Sequence, residues 1–239
     1  MTKFIAIVSG KGGTGKTTAS LNIGQALTTL GKKVVVVDTN FATPNLAIQL
    51  GFMNPEGTIN KFLRKEKALH EITYLHESGL SIIPASPSYT EFQKTNPQKM
   101  GELFEHLDDA AEFVLLDAPS GLGFEVSEVL KNSDEAIIVV NPTLSSVMEA
   151  VKTIQLAQAH NATIAGIILN MTHRGKHELK SEEVQKILGY QLIATIKDDK
   201  KIRKSVFRQM PLTYLYPRSR SAKEFKKIAQ HLTMDHEKT

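Results

Sequence analysis

Eight consecutive residues, Gly10-Lys11-Gly12-Gly13-Thr14-Gly15-Lys16-Thr17, carry the clearest chemistry in this sequence. Glycines lack a Cβ, so successive main-chain N–H groups can turn inward around an anion. The spacing G-x-x-x-x-G-K-[ST] suits a nucleotide tail: the Lys16 ammonium on the β- and γ-phosphates and the Thr17 hydroxyl on Mg²⁺. Thr18 follows, at the point where helical periodicity begins.

Three further polar signals fall at the ends of apolar runs. Val34-Val35-Val36-Val37 ends at Asp38, Phe113-Val114-Leu115-Leu116 ends at Asp117, and the run 164–169 ends at Asn170. A carboxylate in the position of Asp117 would hold Mg²⁺ through its water shell, because Mg²⁺ takes few direct protein ligands. The side-chain amide of Asn170 offers a donor and an acceptor, which suits a purine edge.

These groups need elements to position them. Residues 4–8 form a short apolar run that predicts a buried strand, and 18–30 repeats apolar residues at helical spacing. The loop between them then lies at a helix N-terminus, where the dipole favours phosphate. Further strands are predicted over 34–37, 80–83, 113–116, 136–140, 164–169 and 192–196. Helices are predicted over 97–107, 125–130, 145–159, 181–188, 200–208 and 221–232. Strands alternating with apolar-faced helices predict an α/β fold: a three-layer α/β/α arrangement around a mostly parallel sheet, with ligands beyond the carboxyl ends of the strands. No repeat, low-complexity stretch or linker divides the chain, so residues 1–239 are read as a single domain of the phosphate-loop NTPase type.

The block Lys11-Gly12-Gly13-Thr14-Gly15-Lys16-Thr17-Thr18 resembles the deviant phosphate loop of the MinD/ParA ATPases, and is most similar to the compact prokaryotic MinD type. The resemblance implies that Lys11 reaches across a dimer interface to the partner subunit's nucleotide. Asp117-Ala118-Pro119-Ser120-Gly121 resembles the family's D-x-P-x-G second switch, in which the glycine lets the backbone approach the γ-phosphate. The stretch 37–46 resembles the first switch, with Asp38 as its first aspartate. The second is replaced by Asn40, near the expected attacking water. An amide cannot accept a proton, so general-base chemistry at Asn40 is excluded, although it can still orient water. Slow hydrolysis and a long-lived ATP state are therefore expected.

What the resemblance implies can be stated residue by residue. Lys11, Lys16, Asp38 and Asn40 serve catalysis. Gly10 through Thr18, Gly121, Asn170 and Asp198 hold the nucleotide, and Thr17, Asp38 and Asp117 surround the metal. ATP or ADP and Mg²⁺ are the implied cofactors. The implied partners are a second copy of the chain in the ATP state and a regulatory or cargo protein, with a role as a spatial or assembly switch in cell division or positioning. Lys197 departs from the family's usual Pro-Glu-Asp run before Asp198.

Composition excludes several classes. The chain has 239 residues, 41% of them hydrophobic, and no cysteine, so disulfides, thiolate metal sites and iron–sulfur relatives of the family are ruled out. His173 and His177 flank Gly175 and carry no trusted metal spacing. The absence of cysteine, and an N-terminus running directly into the first strand, predict a cytoplasmic protein. The formal net charge is +4, yet the segment 200–227 holds ten cations against Glu224 alone. Such a field attracts nucleic acid, anionic lipid or an acidic protein, so a ParA-like DNA-partition role and a peripheral position at the inner membrane face stay open. Ala222, Phe225, Ile228, Ala229 and Leu232 form an apolar stripe opposite Lys223, Lys226 and Lys227. This stripe is expected to pack on the domain rather than lie on lipid, and the polar tail 235–239 offers no lipid anchor.

Overall fold

The computed structural model describes residues 2–173, 175 and 177–236, with side chains described up to Met234. In chain order the elements are β1 (Lys3–Ser9), α1 (Lys16–Thr29), β2 (Val34–Asp38), α2 (Leu46–Gln49), α3 (Ile59–Leu63), α4 (Leu69–Ile72), β3 (Tyr74–Leu75), β4 (Ser81–Ile83) and α5 (Tyr89–Lys94). A 3₁₀ turn (Pro97–Lys99) leads into α6 (Met100–Leu107). There follow β5 (Phe113–Ser120), α7 (Phe124–Lys131), β6 (Glu135–Val140), α8 (Leu144–Ala159), β7 (Thr163–Thr172), α9 (Ser181–Leu188), β8 (Leu192–Lys197), α10 (Lys200–Phe207), α11 (Leu212–Leu215) and α12 (Arg220–His236).

The described residues build an eight-stranded sheet in the order β3-β4-β2-β5-β1-β6-β7-β8. Every pairing is parallel except β3 with β4. The strands are apolar along their length because both faces are covered, as a parallel sheet requires. Successive residues of β1 show this directly. Ile5 and Ile7 join a core with α1, α11 and α12, whereas Ala6 and Val8 join one with α3, α6, α7, α8 and α9. The expected three-layer α/β/α architecture is thus present.

Helix α1 lies unusually close to the sheet. A Cβ at Gly24 would stand 2.6 Å from a methyl of Val36, so only glycine allows this approach. Its other side packs on α12, whose Ala222, Phe225, Ile228, Ala229 and Leu232 are all buried. The apolar stripe of α12 is therefore spent on the core. Residues 237–239 of the tail lie outside the described residues, as do the side chains at 235 and 236. No helix among the described residues is long and apolar enough to cross a membrane.

Several boundaries differ from those the sequence predicts. The 97–107 helix begins as a 3₁₀ turn over Pro97–Lys99, capped by the Asn96 side chain. The run ending at Asp117 continues to Ser120, and that ending at Asn170 continues to Thr172 through a register shift against β8 at Met171, which has φ 58°. Asp117 and Asn170 thus sit inside strands rather than at their ends. The short helices α2, α3, α4, α5 and α11 and the two-residue β3 are not evident from periodicity, being too short to show a period.

Candidate functional site

Ser9 ends β1, and Lys16 opens α1 directly after the glycine-rich turn. Gly13 and Gly15 have φ of +76° and +96°, a left-handed conformation open to glycine at little cost. Gly15 is also sterically fixed: a Cβ there would stand 2.3 Å from Asn170 Nδ2. Gly10 is pressed against Glu149 of α8, where a Cβ would lie 2.6 Å from that residue's own. Nothing lies within 4 Å of the corresponding point at Gly13, so the middle of the loop faces open space.

The Lys16 side chain is buried, and its Nζ donates to Ser9 Oγ at 2.9 Å. Ser9 Oγ in turn donates to the carbonyl of Lys11. Burial lowers the Lys16 pKa, and the nearby Asp117 carboxylate partly restores it. Asp117 is itself buried, and burial pushes its carboxyl up to about 6 against hydrogen bonds from Thr17 and Ser20 and the charge of Lys16. The Ser20 hydroxyl lies 3.2 Å from Asp117 Oδ1.

Asp38 is fully buried beside Asp117. Desolvation, then the neighbouring carboxylate, raises its pKa well above the usual range, although main-chain amides oppose this. Its Oδ1 accepts from Asn40 N–H at 3.0 Å and its Oδ2 from Leu46 N–H at 3.1 Å. Asn40 sits over the open side of the loop, but its amide is turned into its own segment. Its Nδ2 donates to the Thr43 carbonyl at 2.9 Å and its Oδ1 accepts from Thr43 N–H at 3.2 Å.

A cavity of about 260 Å³ joins these parts, lined by Gly12, Gly13, Gly15, Lys16, Thr17 and Thr18 on one side and by Asn40, Thr43, Asn45 and Ser120 on the other. Lys11 stands exposed at its rim, its Nζ 3.2 Å from Ser145 Oγ at the start of α8. Gly121, with φ +92°, closes the second switch by donating its N–H to the Ser9 carbonyl.

A second cavity of about 210 Å³ opens on the other side of Thr18, between Asn170, Met171, Asp198, Ile202 and Arg203. Asn170 is buried and its Nδ2 donates to the Thr14 carbonyl at 2.7 Å, which leaves Oδ1 without a partner. Thr14 Oγ1 is a second buried polar atom with none. Asp198 faces this cavity paired with Arg203, its Oδ1 2.8 Å from Nη1. Gly12, Gly13, Gly15, Lys16, Thr17, Thr18 and Asn40 thus line one cavity and Asn170 and Asp198 its neighbour, while Asp38 and Asp117 are buried side by side in the sheet and line neither. Motif spacing does not mark Ser20, Met171, Ile202 or Arg203 as site residues. Ser20 follows the motif in sequence, whereas the other three meet only through the sheet.

The arrangement suits Mg²⁺ and a nucleotide. The loop is a cradle only glycine can line, Thr17 and Asp117 supply a hydroxyl and a carboxylate of the hard oxygen type, and the orphaned Asn170 acceptor points to a ligand donor. No group of three or more His, Cys, Asp or Glu side chains placed to hold a metal ion occurs among the described residues.

These features define a phosphate-loop nucleotide-binding protein. The CobQ/CobB/MinD/ParA nucleotide binding domain matches residues 5–212, and the chain belongs to this family. An ATP-binding protein of Methanocaldococcus jannaschii is 35% identical over 95% of this chain and 86% of its own length. The cell division ATPase MinD of Pyrococcus furiosus superposes with a TM-score of 0.93 at 30% identity, covering 98% of this chain and 99% of that one. Septum site-determining protein MinD of Pyrococcus horikoshii, solved with Mg-ADP, gives 0.92 at 31% identity over 97% and 96%.

Proposed function

We propose that the protein is a MinD-like ATPase, a single domain that binds Mg-ATP, dimerises around two nucleotides and acts as a slow switch for a protein partner. The observation that carries this reading is the pair of lysines on one loop. Lys16 is buried and lines the cavity, while Lys11 is exposed next to the cavity-lining Gly12 and is hydrogen-bonded, among the described residues, to Ser145. One ammonium serves the phosphates of its own subunit, and the other is free to swing toward a facing copy, where it would neutralise charge that builds during phosphoryl transfer.

Thr17 and Asp117 would hold Mg²⁺, which would supply positive charge to offset that of the phosphates. In the ligand-free protein both Asp38 oxygens accept main-chain amides of the first switch. Asp38 therefore acts first as the anchor of that segment, and its approach to the metal requires the segment to rearrange. Base recognition follows from the locked amide of Asn170. With Nδ2 held on the Thr14 carbonyl, Oδ1 is the unpartnered acceptor available to a base. It accepts from the exocyclic amine of adenine and opposes the acceptor oxygen of guanine.

Sedimentation with Mg-ATP and with Mg-ADP tests the reading: ATP alone should convert monomer to dimer, and Lys11→Ala should abolish that shift while leaving monomer affinity within about threefold. A monomer in saturating Mg-ATP overturns it. A second reading, an ATP-dependent binding module without hydrolysis, is favoured by Asn40, whose amide is satisfied within its own segment. Phosphate release under saturating Mg-ATP separates the two. A DNA-partition role rests on the basic segment, and ATP-dependent, salt-sensitive DNA binding would support it.

A further inference from the structure

Among the described residues, strand β8 is the terminal strand of the sheet and pairs only with β7. Beyond Leu192, its described main-chain hydrogen bonds run to β7 alone, so one row of N–H and C=O groups faces outward. The opposite edge is protected by the brevity of β3, a two-residue antiparallel strand. β8 has six residues, no proline and an exposed Thr195 at its middle.

Beside this edge lies a cavity of about 360 Å³ on the α12 side, formed by Thr195, Lys197, Arg220, Ser221, Lys223 and Lys227 with Glu224. Lys227 is paired with Glu224 at 2.9 Å, whereas Lys197, Arg220 and Lys223 have no ion-pair partner among the described residues. Thr195 also borders a cavity of about 410 Å³ on the α9 side, where Glu178 and Glu182 accompany Lys180. Among the described residues, excess positive charge therefore lies on the α12 side of an open strand edge.

We propose that the β8 edge binds an extended acidic peptide segment of a partner protein, which adds as a ninth strand and directs alternate carboxylates toward Lys197, Arg220 and Lys223. Side chains of an added strand alternate with period two, so the acidic ones share one side and meet the cations. The edge presents donors and acceptors in turn, which a peptide backbone matches and an acceptor-only phosphodiester does not. No large apolar side chain lines the α12 cavity, so it has nothing to insert into lipid. Two copies of this edge would bring their cations together, which disfavours self-pairing.

The test uses the full chain and a fluorescent peptide of about seven residues alternating glutamate and valine, at low salt. Binding should be detectable below about 1 mM, and the matching lysine–valine peptide should bind at least about tenfold more weakly. Amide exchange of residues 193–197 should slow when the acidic peptide is bound. Arg220→Glu with Lys223→Glu, both exposed positions, should weaken binding by about tenfold or more with ATP affinity unchanged. The proposal is overturned by no binding at that concentration, by equal binding of the lysine peptide, by protection elsewhere than β8, or by an oligothymidylate that competes for the same residues more tightly than the peptide. ATP binding is measured in parallel and reports on the nucleotide site separately.

Discussion

The loops after β1 and β2 solve the same problem in opposite ways. Both follow a buried strand that pairs with β5 in register with Asp117. The β2 loop carries its own anion: the Asp38 carboxylate accepts the amides of Asn40 and Leu46. The β1 loop has no internal anion. Its glycines hold it open, with Lys16 resting on Ser9 Oγ. A loop that satisfies its own amides can stand without a ligand, whereas one that leaves them open is built to receive a phosphate. On the proposed function, the first loop captures the anion and the second responds to it.

Removing the Lys16 ammonium should be the largest perturbation. Lys16→Ala is expected to weaken ATP by about 10³-fold, the order of cost for truncating a buried charge partner, with little change in amide exchange of the β2 loop. Calorimetric titration measures the first and hydrogen exchange the second; near-native affinity would show that the cradle binds without its cation. Asn40→Asp addresses the response side. Restoring a carboxylate should raise steady-state turnover by about 10²-fold, within the range that a general base contributes. An unchanged phosphate-release rate would mean that position 40 does not limit hydrolysis.

Asp38→Ala tests whether the internal anion holds the second loop. Exchange at Asn40 and Leu46 should accelerate by about tenfold or more, since each amide loses its acceptor, while residues 10–17 remain as protected as before. Equal loosening of both loops would merge them into one unit. The smallest effect concerns pH. Burial pushes the Asp117 carboxyl up to about 6 and Asp38 well above its usual range. Between about 3.8 and about 6 the native state then binds more protons than the unfolded chain, so stability falls as pH rises through that window. Without Mg²⁺ or nucleotide, the melting midpoint should drop by ~3 °C from about pH 5 to about pH 7, and by less in Asp38→Asn. A midpoint rising over this interval contradicts destabilisation of the two carboxylates by burial.

Much of this was legible in the linear chain where a signal was local. The glycine-rich run and β-branched stretches such as Val34–Val37 announced a phosphate loop between strand and helix, because glycine spacing and apolar periodicity act over a few residues. The core strands and the long helices α1, α8 and α12 followed from the same cause. The region between β2 and β5 was poorly legible. Its helices α2 to α5 span only four to six residues each, and helices that short depend on packing rather than on propensity.

Residue type and spacing alone therefore established the anion-binding loop, the carboxylates that accompany it and the alternation that makes a parallel sheet. Tertiary structure decided what those groups face. Asn170 became a fixed acceptor only because Thr14, 156 residues earlier, claims its amide nitrogen. Arg203 and Met171 became walls of one cavity, and the apolar stripe of α12 was spent on α1. A sequence states which groups can donate, accept or be buried, but their partners are chosen by strand order, which brings distant segments within hydrogen-bonding reach.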